Sequence, residues 1–491
     1  MKRIFFILLI VFSLITLGMF PLDFFVVSVP ELVIYALIAA VIVCAVLVFA
    51  VSGAKAFTKA VSVVITALIT VFSIAGVWID PYFNSFSFHG MNAEMTLPYD
   101  TIIPADKACA DIDCAMKYLQ KNHPALMNGL TDDLRKRYES AISEIKSAGS
   151  VKVYELTRIA EGIFTLLGDA HTSVYANYSV PLYLKHYHRW DIEGYSICAI
   201  NGVRISELLE RSRELYSYEA DSWLLHCMKN DLVMLQGLVY LGFDVEMGIT
   251  FTFSDSEGAE KSETYYPRDF VYYHDYCVFN DLDIAQQDPI FVRYTIDEER
   301  SLALLTLDRC IYNSEYINCL HDMFTEVKNK GIKNVAVDLR GNSGGNSLVA
   351  DEFIRYLDAD SFRVTTETMR LGPFFTPLGP ETVENERYTD LTFTGDVYLL
   401  TSAGSFSSAM LFPQYIKDNG LGKLIGEPPG NDPNGYGEIT EFRTPNAGMW
   451  ISVSTKRFNR VDRDCPDKYV MPDIPCDEAG ALDVLYEAIA G

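Results

Sequence analysis

The chain has 491 residues, of which 49% are hydrophobic, enough for a full-sized soluble core together with a membrane segment. Its 65 acidic residues outnumber 40 basic ones, and this formal net charge of -25 argues against nucleic acid or anionic lipid headgroups as the main partner. The ten cysteines include no CxxC pair, so we expect no zinc knuckle and no thioredoxin-like redox site.

Three apolar runs without a formal charge come first, over residues 4–20, 32–52 and 60–79. Each approaches the roughly 20 residues that cross a bilayer as a helix. Lys2 and Arg3 precede the first run, and Lys55 and Lys59 separate the second from the third. Because basic flanks face the cytoplasm, we predict a three-helix transmembrane anchor over 1–80 and an extracytoplasmic domain after it, in a multi-pass protein of the cell membrane.

Two other interpretations of these runs are weaker. The first run lacks the A-x-A cleavage site of a signal peptide. None of the three carries an Asp, Glu, Lys, Arg or His that would mark the ion path of a transporter or channel.

Helical patterns dominate the start of the soluble region. Residues 81–104 are turn-rich and are predicted to be a linker, and residues 105–179 a helical subdomain. Within it, apolar residues recur at helical spacing over 112–119, Thr131 can cap a second helix, and a third covers 154–167.

Residues 180–290 are predicted to be mixed and β-rich. The stretch YSICAINGV, residues 195–203, is followed by a helix-like segment, which is the strand, Asn-Gly turn and helix order of a divergent PDZ-like module. A plain hairpin explains the same residues equally well.

Strands and helices alternate over residues 291–491, which predicts an α/β core. The predicted strands are 302–307, 335–339 and 397–401, and the predicted helices are 315–327, 348–357 and 407–416. The loops at the strand ends of such a sheet are a common place for catalysis.

One of these loops is rich in serine. In LLTSAGSFSSAMLF, residues 399–412, a strand enters a small-residue turn and then a helix. A serine there is near helix N–H groups that favour negative charge, as a nucleophile requires. By itself the motif is more often an ordinary serine helix cap.

A second loop is rich in glycine. In VAVDLRGNSGGNS, residues 335–347, the glycines permit a backbone that aims successive N–H groups at one anion. No GxxxxGK[ST] sequence supports phosphate binding. In a third segment, LLGDAHTSVYA, His171 lies on a loop just after a helix, where it is a candidate general base, although a lone histidine is more often structural.

Together, the segments GDAHTS, DLRGNSGGN, SFSSA with IGEPPG, and YVMPDI resemble the tail-specific (carboxyl-terminal processing) serine peptidases, a family that includes the tricorn-protease core. The resemblance covers roughly Ala105 to Asp477. It implies that Ser407 is the nucleophile and that backbone N–H groups of Gly344 and Ser408 hold the oxyanion. It implies no metal and no cofactor.

The resemblance also bears on the general base. Many processing peptidases of the family use a lysine in a GKG turn after the GEP sequence, but this chain has GEPPGNDPNGYGE there. This difference points to the tricorn-like branch, in which His171 activates Ser407. Ala170 stands where that branch has a second serine, and Asp464 and Asp467 are candidates for the acid that orients His171, with Asp464 as our choice.

The sequence therefore predicts an α/β (α+β) peptidase domain with a helical amino-terminal subdomain, anchored by three transmembrane helices. We expect a serine endopeptidase that hydrolyses unfolded or peptide substrates through an acyl-enzyme. The alternative is a catalytically inactive domain that binds a ligand or peptide on the same fold, as retinoid-binding relatives of the family do.

Overall fold

The fold is described from a computed structural model. It covers residues 2–25, 31–50, 55–83, 96–176, 178, 180–185, 191–192, 195–255, 257–280, 290–372 and 374–490.

Three apolar helices open the chain: Lys2–Phe25, Glu31–Ala50 and Ala56–Phe83. Leu9, Val41 and Ile69, one from each, are buried in a common cluster. Val33–Ala50 and Ala56–Gly76 are long and apolar enough to cross a bilayer, whereas the apolar part of the first helix, Arg3–Met19, is shorter. The prediction of three spans is thus supported for two helices. Such helices also occur as signal sequences and inside soluble proteins, so the membrane anchor is taken up below as a proposal.

A helical layer follows. It consists of the helices Ala105–Asn122, Asp132–Ala148 and Val153–Phe164, the short 3-10 helices Pro124–Leu126 and Thr165–Leu167, and the paired strands Ile102–Pro104 and Ser150–Lys152. The hydroxyl of Thr131 accepts a hydrogen bond from the Leu134 N–H at 3.3 Å, which confirms the predicted cap. The third helix is shorter than predicted because its last turn tightens to a 3-10 helix before Gly168.

The middle of the chain forms a smaller sheet with helices around it. Its strands are Asp191–Ile192, Tyr195–Ile200, Val203–Arg204, Ile249–Ser254 and Glu260–Tyr265, and Leu182–Leu184 pairs separately with Phe270–Tyr272. The helices are Ile205–Ser212, Asp221–Asp231, Leu235–Tyr240, Tyr273–Phe279 and the 3-10 helix Pro267–Asp269. Asn201 and Gly202, both with positive φ, make a two-residue hairpin that leads directly into a helix, so the hairpin and the strand-turn-helix order are both present. That this segment is a PDZ-like module stays a prediction.

The carboxyl-terminal third is built on a six-stranded sheet. In spatial order the strands are Val292–Asp297, Leu302–Leu307, Asn334–Asp338, Asp396–Thr401, Lys423–Gly426 and Ile474–Pro475. The first pair is antiparallel and the others are parallel. The helices Ser314–Lys330, Leu348–Ile354, Ser408–Asp418 and Ala481–Ala490, with the 3-10 helix Thr389–Leu391, accompany it. The predicted α/β alternation is confirmed.

The main hydrophobic core lies between this sheet and its helices. Leu305, Val337 and Leu399, on three neighbouring strands, are fully buried against Phe353 and Phe412 of two helices. Burial of an aromatic or aliphatic side chain contributes about 1.5–3 kcal/mol, so this layer holds the strand ends rigidly.

A second sheet packs against the helical layer. Its strands are Phe374–Leu378, Thr366–Leu371, Trp450–Asn459, Tyr436–Arg443 and Ser173–Tyr175, and the remaining strands Ser361–Arg363 and Thr382–Glu384 pair with each other. Phe442 and Ile451 of this sheet are buried against Ile112 and Leu156 of the helices. Because Ser173–Tyr175 joins the sheet, the loop that carries His171 is fixed at its edge.

Candidate active site

The serine loop and the glycine loop meet at one edge of the six-stranded sheet. Asn334–Asp338 and Asp396–Thr401 are adjacent parallel strands, so the loops that follow them emerge side by side. The Ser405 hydroxyl donates to the Leu339 carbonyl at 2.7 Å, and the Phe406 N–H donates to the Asn342 carbonyl at 2.9 Å. These bonds fix the two loops to each other.

Ser407 lies immediately before the helix Ser408–Asp418 with φ 57° and ψ -122°. A side chain rarely adopts a positive φ, and holding one costs on the order of 1–3 kcal/mol. The Asn431 side-chain oxygen accepts the Ser407 N–H at 2.9 Å, and Asn431 is itself buried. The strained backbone presents the Ser407 side chain to an open cavity of about 810 Å³.

Because Gly344 has no side chain, there is space beside it for Ser407. A Cβ at Gly344 would lie 2.7 Å from the Ser407 Cβ and 2.7 Å from the Phe406 carbonyl oxygen. We expect Gly344→Ala to displace Ser407 and to lower kcat/KM roughly 10²-fold or more, since small misplacements of reacting groups are costly.

Gly341→Ala is the matched control for this prediction. Gly341 also has a positive φ, of 71°, but a Cβ there meets no atom within 4 Å. Both variants therefore carry a backbone penalty of about 1–2 kcal/mol, visible in the melting temperature, while only Gly344→Ala contacts the serine. Equal activity losses in the two variants would argue against this account of Gly344.

Two backbone N–H groups beside Ser407 have the position for an oxyanion hole. The N–H groups of Gly345 and Ser408 donate to no other described residue, and both residues line the cavity. The Gly344 N–H, the donor that the sequence favoured, instead donates to the Asn342 side chain at 2.8 Å. Among the described residues, Gly345 rather than Gly344 therefore offers an unbonded N–H on the glycine loop, and Ser408 offers the other.

His171 lines the same cavity as Ser407. Its ring packs against that of Phe406, the residue before Ser407, with the ring centres 4.4 Å apart and the planes tilted by 34°, and its side chain is only 9% exposed. Burial lowers the pKa of His171, and the nearby Asp169 carboxylate opposes that shift. Neither ring nitrogen has a hydrogen-bond partner among the described residues, and catalytic hydrogen bonds in substrate-free sites are often long.

Asp169 is the carboxylate beside His171. Its Oδ1 lies 3.9 Å from the His171 Nδ1 and accepts the His171 backbone N–H at 2.9 Å. Its Oδ2 is 3.0 Å from the Nε2 of His123, in a pair that is fully buried. Because the Nδ1 of His123 accepts the Ala125 N–H, its Nε2 carries the proton that it donates to Asp169. Burial would raise the pKa of Asp169, but the His123 hydrogen bond and the two imidazoles hold it below its usual range.

Glu219 joins two loops of the site. Its carboxylate accepts the Ala170 N–H at 3.2 Å and also the Asp432 N–H, next to Asn431. Burial and the neighbouring Asp169 raise the pKa of Glu219 to about 8. Ligand atoms of Asp169, His171 and Glu219 lie within 4.8 Å of one another, so these three are also the residues of the site with the spacing to hold a cation.

Residues 306–476, which include the glycine loop and Ser407, match the family model described as Peptidase family S41. This part of the chain belongs to that family. Members of peptidase family S41 are serine peptidases, so the chain is a serine-type hydrolase. No curated protein sequence matches the chain.

Solved structures show the same fold over more of the chain than the family match. Mature CPAF complexed with lactacystin is 12% identical with a TM-score of 0.56, covering 79% of this chain and 97% of its own. Mature CPAF alone is 11% identical with a TM-score of 0.55, at 79% and 96% coverage. The photosystem II D1 C-terminal processing protease is 11% identical with a TM-score of 0.43, at 78% and 97% coverage. The two CPAF structures establish a common fold over a larger share of the chain than the S41 match covers.

The structure does not bring Asp464 to the S41 site. Asp464 is exposed and lines a separate small cavity with Arg363, Glu381 and Arg463, and Asp467 is also exposed. The acid beside His171 is instead Asp169, two positions before it in the chain. The prediction is corrected because Asp464 lies on the loop after the strand Trp450–Asn459, and no residue of that loop lines the active-site cavity.

Neither lysine near the GEP segment lines the cavity. Lys456 is held by Glu367 at 2.8 Å and by Glu438 at 3.3 Å, and Lys423 is exposed at the start of its strand. The histidine therefore stays the candidate base for this S41 chain.

Several site residues were missed in the sequence: His123, Glu219 and Asn431. His123 and Asp169 are 46 positions apart, and no local spacing connects them. Asn431 could have been found, since it directly follows the IGEPPG segment that resembles the family.

Proposed function

We propose that this chain is a membrane-anchored serine endopeptidase that hydrolyses peptide bonds of unfolded or peptide substrates outside the cytoplasm through an acyl-enzyme. The observation that carries the proposal is the position of Ser407: a strained serine at a helix start, sharing one open cavity with a buried imidazole and two unoccupied backbone N–H groups. These are the three functions that acyl transfer requires.

The mechanism follows from the arrangement of these groups. The Nδ1 of His171 faces Asp169, so the Nε2 is the nitrogen available to take the Ser407 proton. The alkoxide attacks the peptide carbonyl carbon, and the N–H groups of Gly345 and Ser408 stabilise the charge that develops on the carbonyl oxygen. His171 then gives its proton to the leaving amine as the C–N bond breaks. Water, deprotonated by His171, releases the acyl group and restores Ser407.

The pH dependence of turnover tests the base and its orienting acid. Activity requires unprotonated His171, so kcat/KM should be lost as pH falls through the pKa of His171. Because burial lowers that pKa, the acid limb should lie below about 6.5, the ordinary histidine value. Asp169→Asn removes the charge that opposes the shift, so the acid limb should move to still lower pH while the plateau falls by up to about 10⁴-fold.

The control for this pH prediction is Asp133→Asn, at a carboxylate that is 83% exposed. It should leave both the limb and the plateau as in the wild-type protein. An Asp169→Asn limb that moves to higher pH would refute the assignment of Asp169 as the acid beside the base.

The membrane part of the proposal rests on the apolar helices and on Lys2, Arg3, Lys55 and Lys59. Alkaline phosphatase is active only outside the cytoplasm, so fusions report the side of each loop. A fusion after residue 104 should be active and a fusion after residue 55 inactive, with the protein retained in membranes washed with carbonate at high pH. An inactive fusion after residue 104 would show that an even number of spans leaves the domain in the cytoplasm.

A second function, a catalytically inactive peptide-binding domain, is favoured by one observation. His171 makes no hydrogen bond to Ser407 in the described structure. Covalent labelling of Ser407 by a serine-reactive probe distinguishes the two, since a pure binder should not react.

A further inference from the structure

A second cavity, of about 500 Å³, adjoins the active-site cavity. Ala170, Ser173, Tyr175 and Trp223 line both. Trp223 also stacks on Phe406 at 4.0 Å, directly beside Ser407. The two cavities are therefore neighbours that share these four lining residues.

Tyrosine rings dominate the walls of this second cavity. Tyr178, Tyr183, Tyr216 and Tyr240 all line it, and the rings of Tyr216 and Tyr240 meet edge to face at 5.7 Å. The faces of aromatic rings attract cations by about 0.5–2 kcal/mol each, most strongly where water is excluded. Such walls fit an alkyl chain that ends in a positive charge.

Two carboxyl groups lie among these rings without a counter-ion. Glu161 and Asp231 line the cavity, and none of its described lining residues is a lysine, arginine or histidine. Buried carboxylates are normally paired with a cation. The described lining of this cavity supplies no cation for Glu161 and Asp231. Burial raises the pKa of Asp231 to about 6 and that of Glu161 to about 7, as expected for carboxyl groups without a cation.

The hydrogen bonds show which of these two carboxyl groups has an oxygen left to bind a ligand. Both oxygens of Glu161 accept backbone N–H groups, from Val174 at 2.5 Å and from Ser217 at 2.6 Å. Asp231 accepts the Tyr216 hydroxyl on Oδ2, while its Oδ1 has no donor among the described residues. The Ser217 hydroxyl is likewise without a partner, although Ser217 is only 4% exposed. One carboxylate oxygen and one hydroxyl thus remain for a ligand.

We propose that this second cavity binds the positively charged side chain of a lysine or arginine of the substrate, with the charge beside Asp231 and the alkyl chain among the tyrosine rings. The proposal rests on the proposed peptidase function and specifies its substrate class. A substrate side chain is favoured over a free small molecule because the second cavity adjoins the active-site cavity that holds Ser407 and shares four lining residues with it. The enzyme should then prefer peptides that carry a lysine or arginine near the cleaved bond.

The test uses the whole detergent-solubilised protein and pairs of peptides that differ at one position. Each position around the cleaved bond carries lysine in one peptide and norleucine, its uncharged counterpart of nearly the same length, in the other. At one position kcat/KM should favour lysine roughly 10- to 100-fold. A ratio near one at every position would overturn the proposal, and this comparison needs no substitution in the protein.

Substitution of Asp231 then locates the preference. Asp231→Asn should reduce the lysine-to-norleucine ratio at that position at least tenfold. Asp244→Asn, at an exposed carboxylate on the same part of the chain, should leave the ratio as in the wild type. An unchanged ratio in Asp231→Asn, in protein that melts as the wild type does, would place the cation elsewhere and refute the site.

A binding measurement distinguishes failure of the proposed cation site from failure of the proposed peptidase function. Fluorescence anisotropy with Ser407→Ala measures the affinity of the same peptides without turnover, and the lysine peptide should bind roughly tenfold more tightly than the norleucine peptide. If that preference is found but the wild-type protein cleaves nothing, the peptidase assignment fails and the cation site stands. If peptides are cleaved and bound without preference for lysine, the peptidase stands and the site fails.

Discussion

Replacing Ser407 by alanine is expected to abolish peptide hydrolysis, with kcat falling on the order of 10⁵- to 10⁶-fold. The hydroxyl is the only group in the proposed mechanism that forms a covalent bond with the substrate, so its loss removes the acyl-enzyme route altogether. The remaining activity would come from the oxyanion donors and substrate binding alone. Turnover of a fluorogenic peptide by the solubilised protein measures the effect.

Ser343→Ala is the matched control for Ser407→Ala. Ser343 lines the same cavity with an exposed side chain, but it lies on the glycine loop and takes no part in the proposed chemistry. Its activity should stay within about threefold of the wild type. Hydrolysis by Ser407→Ala at a rate close to that of the wild type would eliminate Ser407 as the nucleophile.

The second large effect is expected for His171→Ala, with kcat/KM falling roughly 10³-fold or more. General base catalysis alone contributes about 10²- to 10⁴-fold, and the same imidazole must also protonate the leaving amine. Substitution leaves a gap beside Phe406 that opens onto the cavity. Added imidazole should therefore restore part of the activity, which a purely structural role of His171 would not allow.

His321→Ala serves as the control, because that imidazole is 59% exposed and lies on the helix Ser314–Lys330, away from the cavity. It should retain wild-type activity with and without imidazole. Near-normal turnover by His171→Ala would contradict the proposed base, and Lys456 would then have to be considered again.

The sequence was most informative where local pattern determines position. Strands that alternate with helices predict a mostly parallel sheet, and parallel strands place the loops after Asp338 and Thr401 at one edge. The sequence alone therefore predicts that Ser407 and the glycine loop lie close together. His171 could not be placed by pattern, since its loop is fixed through the pairing of Ser173–Tyr175 with a strand almost 280 positions later, and only the family resemblance indicated it.

The details that failed depend on side-chain direction. Asp464 was chosen as the orienting acid, yet the carboxyl group beside the base is that of Asp169, two positions before it. The loop folds back on itself there and is closed by the hydrogen bond from the His171 N–H to Asp169. Which glycine of the loop has an unbonded N–H also depends on side-chain direction. Which of two adjacent N–H groups remains unbonded depends on Asn342, whose side chain takes the first of them.

The sequence predicted the number of apolar helices, but it did not establish what these helices do. A run of about 20 apolar residues establishes that a helix can cross a bilayer and leaves open whether it does so. In the segment from 195 to 280, the Asn-Gly turn predicted the hairpin. The helices Asp221–Asp231 and Leu235–Tyr240 place Trp223 in the wall of both cavities and Tyr240 in that of the second, by long-range packing that no local pattern predicts.

The central claim is that Ser407 is a nucleophile activated by His171 in a single cleft. Its most direct test is labelling of the solubilised protein with a fluorophosphonate, followed by mass spectrometry of the modified peptide. The account predicts one adduct, on Ser407, that forms rapidly in the wild type, slowly in His171→Ala and not at all in Ser407→Ala. An adduct on another serine, or equal labelling rates in the wild type and His171→Ala, would contradict it.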